Sequence, residues 1–206
     1  MPASAFARKV ACHLSAADPK LAELIGQVGV WDIDWSPGGF TALARSIIFQ
    51  QISGAAGLSI CRKTREVAGT KGFPPASWFL KASTDELRSG GLSPQKIGYL
   101  RDLSRRVVDG EITFSRLPSL PDDEVIEELS RVHGIGRWTA QMYLLFHMRR
   151  PDVLPTGDLG LRKGVRRVYG YRSLPSEQTV QRHGELWRPY RSWGTYYMWR
   201  SLDAEE

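Results

Sequence analysis

The chain has 206 residues, 42% hydrophobic and 24% charged. That is the balance of an ordinary globular protein and excludes global disorder. No apolar run approaches the ~18 residues of a membrane span, and two cysteines, Cys12 and Cys61, are too few for a four-cysteine zinc or iron–sulfur site. The chain is basic, with 28 Lys and Arg against 22 Asp and Glu, a net charge of +6 and a pI ≈ 9.5. The excess is local. From Arg131 to Arg172 there are nine basic residues and two acids, Asp152 and Asp158, and the rest of the chain is close to neutral. Such a field suits a polyanion, most often nucleic acid, although a merely solvated basic face has the same signature.

In chain order, Met1 to Leu14 carries Arg8 and Lys9 with no acid before Asp18. This fits an organelle presequence or, more simply, a first amphipathic helix. Apolar spacing then predicts helices over 4–15, 18–28, 39–53, 55–68, 83–89, 94–109, 122–132, 137–148, 159–169, 176–184 and 189–202. Clusters such as Ser36-Pro37-Gly38-Gly39 and Phe73-Pro74-Pro75 separate them. Ser93-Pro94 offers a hydroxyl cap followed by proline at the first helical position. Asp122, Asp123 and Glu124 place acids where a helix dipole favours them. Strand-like alternation is scarce, so the expected fold is all-α, and no linker separates independent domains.

Residues 122–148 read as two helices joined by His133-Gly134-Ile135-Gly136. The glycines open conformations closed to other residues and let an outside group approach the main chain. The turn leads straight into a helix N-terminus, where free N–H groups favour an anion, and Arg137 adds a charge there. A DNA phosphate would fit, although Gly-x-Gly between helices is often only a tight turn. Beyond it, Pro155-Thr156-Gly157-Asp158 precedes a helix marked by Leu161, Val165, Val168 and Tyr169. An aspartate at a helix start is ordinarily a cap, but the same position keeps a carboxylate ionised for chemistry. The four histidines show no metal-ligand spacing. Ser93-x-x-Lys96 mimics a serine-acylase motif and lacks that motif's partners.

Taken together, Leu129-Ser130-Arg131-Val132-His133-Gly134-Ile135-Gly136-Arg137-Trp138-Thr139-Ala140 and Pro155-Thr156-Gly157-Asp158 resemble the helix-hairpin-helix–Gly/Pro–Asp (HhH-GPD) superfamily of DNA glycosylases. The match is closest to the AlkA-like, 3-methyladenine DNA glycosylase II type of alkylation-repair enzyme. It extends upstream to Ala44–Ser53 and Gly91–Leu100 and downstream to Trp187–Trp193, and so covers about residue 40 to the end. Two departures stand out. Many relatives have Pro or Lys where His133 stands, and Gly157 replaces an acid common beside the catalytic aspartate, leaving Asp158 as the one carboxylate of the motif. The resemblance implies a compact member without the extra β-rich domain of longer ones. Residues 1–206 would form a single unit of two interlocked helical subdomains with a catalytic cleft between them. The hairpin would span about 122–148 and the aspartate loop and helix about 154–170.

By the same resemblance, the activity is that of a monofunctional N-glycosyl hydrolase that flips and excises alkylated bases, 3-methyladenine and 7-methylguanine, in base excision repair. Asp158 is the implied catalytic carboxylate, with Trp138, Gln50 and Tyr190 binding the base and Trp193 as a further candidate pocket wall. Strand-cleaving members use lysine at the position of Trp138, which implies the monofunctional class. DNA contact falls to a Gln51 wedge and to His133, Gly134, Ile135, Gly136, Arg137 and Thr139. No cofactor or catalytic metal is implied; a monovalent cation on the Val132 and Ile135 carbonyls is compatible with the family. The implied partner is double-stranded DNA with damaged bases, bound by a monomer without a membrane, in the cytoplasm or nucleoid of a prokaryote or the nucleus of a eukaryote. Two other readings remain: a glycosylase for uracil, hypoxanthine or a mismatch, and a non-catalytic DNA-binding hairpin module. A buried carboxylate in a positive field argues against the second.

Overall fold

The structure, a computed structural model, describes residues 3–203. Among these residues it contains twelve α-helices and no strand. In order they are α1 (Ala5–Ala17), α2 (Pro19–Val28), α3 (Phe40–Phe49), α4 (Gly54–Ala68), α5 (Ala76–Lys81), α6 (Thr84–Ser89), α7 (Pro94–Val108), α8 (Asp122–Ser130), α9 (Arg137–His147), α10 (Leu159–Tyr169), α11 (Glu177–Leu186) and α12 (Arg191–Arg200). Local chemistry sets most of the starts. The hydroxyls of Ser4, Ser53, Ser93 and Ser176 each accept a first-turn amide, and Ser83 with Glu86 forms a reciprocal capping box. Gly69 and Gly170 end α4 and α10 in the left-handed conformation. No helix of the described residues is long and apolar enough to cross a membrane.

The chain divides into two compact units, one of residues 36–148 and the other of 1–35 with 149–206. In the first, α3 packs on α4, α7 and α9, and α8 pairs with α9. Its core holds Leu43, Ile47, Phe79, Leu100, Val125, Leu129 and Leu144. In the second, α12 packs on α2 and α10, and Leu14, Leu21, Val165, Trp187 and Tyr197 are buried. A buried carboxylate organises this core. Asp18 Oδ1 accepts the Lys20 and Leu21 amides, while Oδ2 accepts the Trp187 indole at 3.0 Å and the Tyr169 hydroxyl. Burying that charge is tolerable because hydrogen bonds satisfy it on every side.

Three elements depart from the periodicity. The helix expected over 39–53 stops at Phe49, because Gln50 leaves helical space at φ −57, ψ 131 and Gln51 takes a left-handed φ of 58. The short helix α5 was masked by the Phe73-Pro74-Pro75 cluster before it. Tertiary packing sustains it, with Phe79 buried against the rings of Phe40 and Phe73 at 5.8 and 5.7 Å. A 3-10 turn, Leu117–Ser119, carried no periodic signal in three residues.

Candidate active-site residues in the two units

The hairpin of the first unit is built by one glycine and one carboxylate. Gly134 has φ 86, and a Cβ there would lie 2.2 Å from the Tyr99 ring, so only glycine lets α7 approach the turn this closely. Asp102 on α7 accepts the His133 amide at 2.8 Å and two bonds of 3.2 Å from Arg106 Nε. Partial burial pushes the Asp102 pKa up, but the His133 amide and Arg106 outweigh this and hold it below the ordinary carboxylate value. Gly136 is the N-cap of α9, and no side chain of the described residues caps it. His133, Gly136 and Arg137 are exposed at the turn, and Arg137 lies 3.5 Å from Asp123 in a solvent-screened pair. Ile135 and Thr139 are only 3% and 6% exposed. What they offer an outside anion is main chain rather than side chain.

The turn after α3 leans on this hairpin. Gln50 Nε2 donates to the Gly134 carbonyl at 2.9 Å, and Lys96 Nζ donates to the Ile48 carbonyl at 2.6 Å. These bonds hold Gln51, exposed, in its unfavourable left-handed conformation. Beside the turn lies a cavity of about 580 Å³, walled by Phe49, Tyr99, Trp138 and Met142, with Gln50, Gln51 and Lys96 among its polar lining. Trp138 is 50% exposed, so it is not a core aromatic.

In the second unit, Asp158 is the N-cap of α10. Its Oδ1 accepts the Leu161 amide at 2.6 Å and the Trp199 indole at 2.7 Å. Two donors from different directions fix the plane of the carboxylate. Glycines admit the indole: a Cβ on Gly160 would meet Trp199 at 3.0 Å, and one on Gly164 would meet the Met198 carbonyl at 2.3 Å. The motif is not as poor in acids as its sequence. Glu177 of α11 accepts the Thr156 hydroxyl at 2.9 Å, and its Oε1 would lie 3.5 Å from a Cβ on Gly157. A carboxylate from α11 thus lies beside Gly157.

Tyr190, half-buried, packs edge-on against His13 and Phe6, with ring centroids 5.2 and 6.0 Å apart. Trp193 is 2% exposed between Phe6 and Trp35, a core residue rather than a pocket wall. Sequence reasoning missed Trp199, Asp102 and the cavity role of Lys96. Trp199 lies 41 residues from the carboxylate it holds, and no local pattern joins them.

Residues 44–189 match the family described as HhH-GPD superfamily base excision DNA repair protein. DNA-3-methyladenine glycosylase 1 of Schizosaccharomyces pombe is 29% identical over 197 residues, 94% of this chain and 86% of that protein. A solved DNA-3-methyladenine glycosidase from Bacillus halodurans matches with a TM-score of 0.86 at 30% identity, covering 95% of this chain and 91% of that one. The S. pombe 3-methyladenine DNA glycosylase, solved in complex with abasic DNA, matches with a TM-score of 0.85 at 28% identity, covering 95% and 97%. The hairpin, the capped aspartate and these likenesses agree: the chain belongs to the HhH-GPD superfamily of base excision DNA repair proteins.

Proposed function

We propose that the protein is a monofunctional DNA glycosylase that flips alkylated purines, 3-methyladenine and 7-methylguanine, out of double-stranded DNA and hydrolyses their bond to the sugar. The observation that carries this reading is the Asp158 carboxylate, held by the Leu161 amide and the Trp199 indole at the positive end of α10. Breaking the glycosidic bond builds positive charge on the deoxyribose, and a carboxylate fixed before the reaction stabilises that charge without reorganising. The same group orients the water that attacks C1′. The S. pombe and B. halodurans relatives are named as a DNA-3-methyladenine glycosylase and a DNA-3-methyladenine glycosidase, which supports the reading.

The other parts divide the work of holding DNA. The α9 amides and Arg137 receive a phosphate, Gln51 fills the gap left in the stack, and the Trp138, Tyr99 and Phe49 faces take the flipped base. Cationic bases gain about 0.5–2 kcal/mol from such faces. Tyr190 is retained as a base-binding candidate only through the family likeness. The Val132 carbonyl accepts the Ile135 amide at 3.0 Å. A carbonyl oxygen has two lone pairs, so the turn fits a monovalent cation held by the Val132 and Ile135 carbonyls. Such an ion would add positive charge beside the phosphate. The working unit is a monomer, acting wherever the damaged DNA is kept.

The test is a time course of base release from duplexes carrying 7-methylguanine, hypoxanthine or uracil, and from methylated genomic DNA for 3-methyladenine. The methylated purines should be released fastest. Faster release of uracil would overturn the alkylation assignment and spare the glycosylase one. Borohydride should trap no protein–DNA adduct, because Trp138 stands where a Schiff-base lysine would be needed.

A further inference from the structure

Lys96 stands out from the other residues around the cavity of the first unit. It is half-buried, and no carboxylate of the described residues pairs with it. The remaining lining is aromatic, thioether, hydroxyl, amide or glycine, so Lys96 is the one charged residue among those that line the cavity. Its Nζ gives one bond to the Ile48 carbonyl, which lies among the orphan carbonyls at the end of α3. An ammonium has three protons to donate. Burial draws the Lys96 pKa below the ordinary lysine value, the mark of a cation partly stripped of water.

A positive charge repels a positively charged base in its pocket, but the direction of electron flow turns this to advantage. The C1′–N bond breaks with both electrons going to the base. A 7-methylguanine cation leaves as a neutral molecule. A neutral hypoxanthine leaves as an anion and later takes a proton from water. C1′ becomes positive and gains the oxygen of water, whose proton passes to solvent. Whatever its starting charge, the departing base grows more negative by one unit. A fixed cation beside it therefore favours the transition state over the bound state in every case. With a cationic base the same charge also weakens binding, and that repulsion disappears as the bond breaks.

We propose that Lys96 is a catalytic residue that draws electrons into the departing base from the wall of the aromatic cavity, at the expense of affinity for cationic lesions. The proposal rests on the glycosylase reading above and adds the group that acts on the leaving base.

The experiment measures single-turnover rates and duplex affinities for wild type, Lys96→Met and Lys96→Arg, with 7-methylguanine and hypoxanthine as lesions. Lys96→Met should slow both releases by roughly tenfold or more. It should tighten binding of the 7-methylguanine duplex and leave the hypoxanthine duplex no tighter. Lys96→Arg, which keeps the charge, should stay within about threefold of wild type in rate. If hypoxanthine release is too slow to time, the 7-methylguanine arm decides alone. Lys96→Met with unchanged rates would overturn the proposal. So would slower release with weaker binding of both lesions, or an Arg variant as slow as the Met variant, since either is the signature of a lysine that only ties down α3. A wild type that releases neither base would remove the glycosylase reading itself, and this inference with it.

Discussion

The N-termini of α9 and α10 both follow a glycine turn, and they use the same helix dipole in opposite ways. At α9 the N-cap is Gly136 and no described side chain closes the first turn. At α10 the N-cap is Asp158, which takes the Leu161 amide itself and accepts the Trp199 indole as well. One terminus is left open, which the proposed function fills with a phosphate, while the other holds a carboxylate in place. The difference lies in the cap: under the function proposed above, the open terminus serves binding and the one closed by a carboxylate serves chemistry.

The largest effect that tests this contrast is on Asp158. Asn caps a helix about as well as Asp, so Asp158→Asn should keep its melting temperature and bind DNA as well or more tightly. Its single-turnover rate should fall by about a thousandfold or more. A near-normal rate would reduce Asp158 to a second structural cap and erase the contrast. Trp199→Phe removes one of the two donors to Oδ1 and should cost roughly tenfold in rate with DNA affinity unchanged.

On the open terminus, the two glycines should part company. Gly134→Ala meets both a positive φ of 86 and a contact of 2.2 Å with Tyr99, and should destabilise the fold by about 2 kcal/mol or more in chemical denaturation. Gly136 has a φ of −92 and nothing within 4 Å of an added Cβ, so Gly136→Ala should cost less than about 1 kcal/mol. Both should weaken binding to damaged and undamaged duplexes alike. A sequence-dependent loss would contradict a phosphate grip, which carries no base information.

The smallest effect concerns pH. The Asp102 pKa is lowered in the folded protein, so the support it gives the hairpin is present above the ordinary value of 3.8. That support is lost as pH falls below this value and through the lowered one. The melting temperatures of wild type and Asp102→Asn should therefore differ at neutral pH and converge in acid. A gap that persists in acid strong enough to protonate Asp102 would show that it acts through shape rather than charge.

The sequence carried more of the candidate site's turns and caps than of the long-range contacts that support them. Gly134 and Asp158 were legible because a tight turn and a helix start each leave a local mark, whereas Gly136, at φ −92 with open space around it, does not need the freedom its sequence context suggested. Trp199 and Asp102 left none: an indole meets a carboxylate across 41 residues and a carboxylate meets an amide across 31, distances over which no periodicity runs. Trp193 misled because aromatic richness marks cores and pockets equally, and burial alone separates them. The end of α3 was overrun for a related reason. Gln50 continues the helical pattern, and only its tie to the hairpin pulls it out.

Gly160 and Gly164 restrict how this protein can drift. The spacing between α10 and α12 is already that of the smallest residue, with the Met198 carbonyl 2.3 Å from where a Cβ on Gly164 would stand. At Gly164 any larger residue must push the α12 backbone away, and at Gly160 it must shift the Trp199 ring. Variation here is one-sided. A residue that widens this spacing strains the Trp199–Asp158 bond, and at the same position only a return to glycine restores it. Lineages that lose these glycines must repack α12 or find another donor for the aspartate.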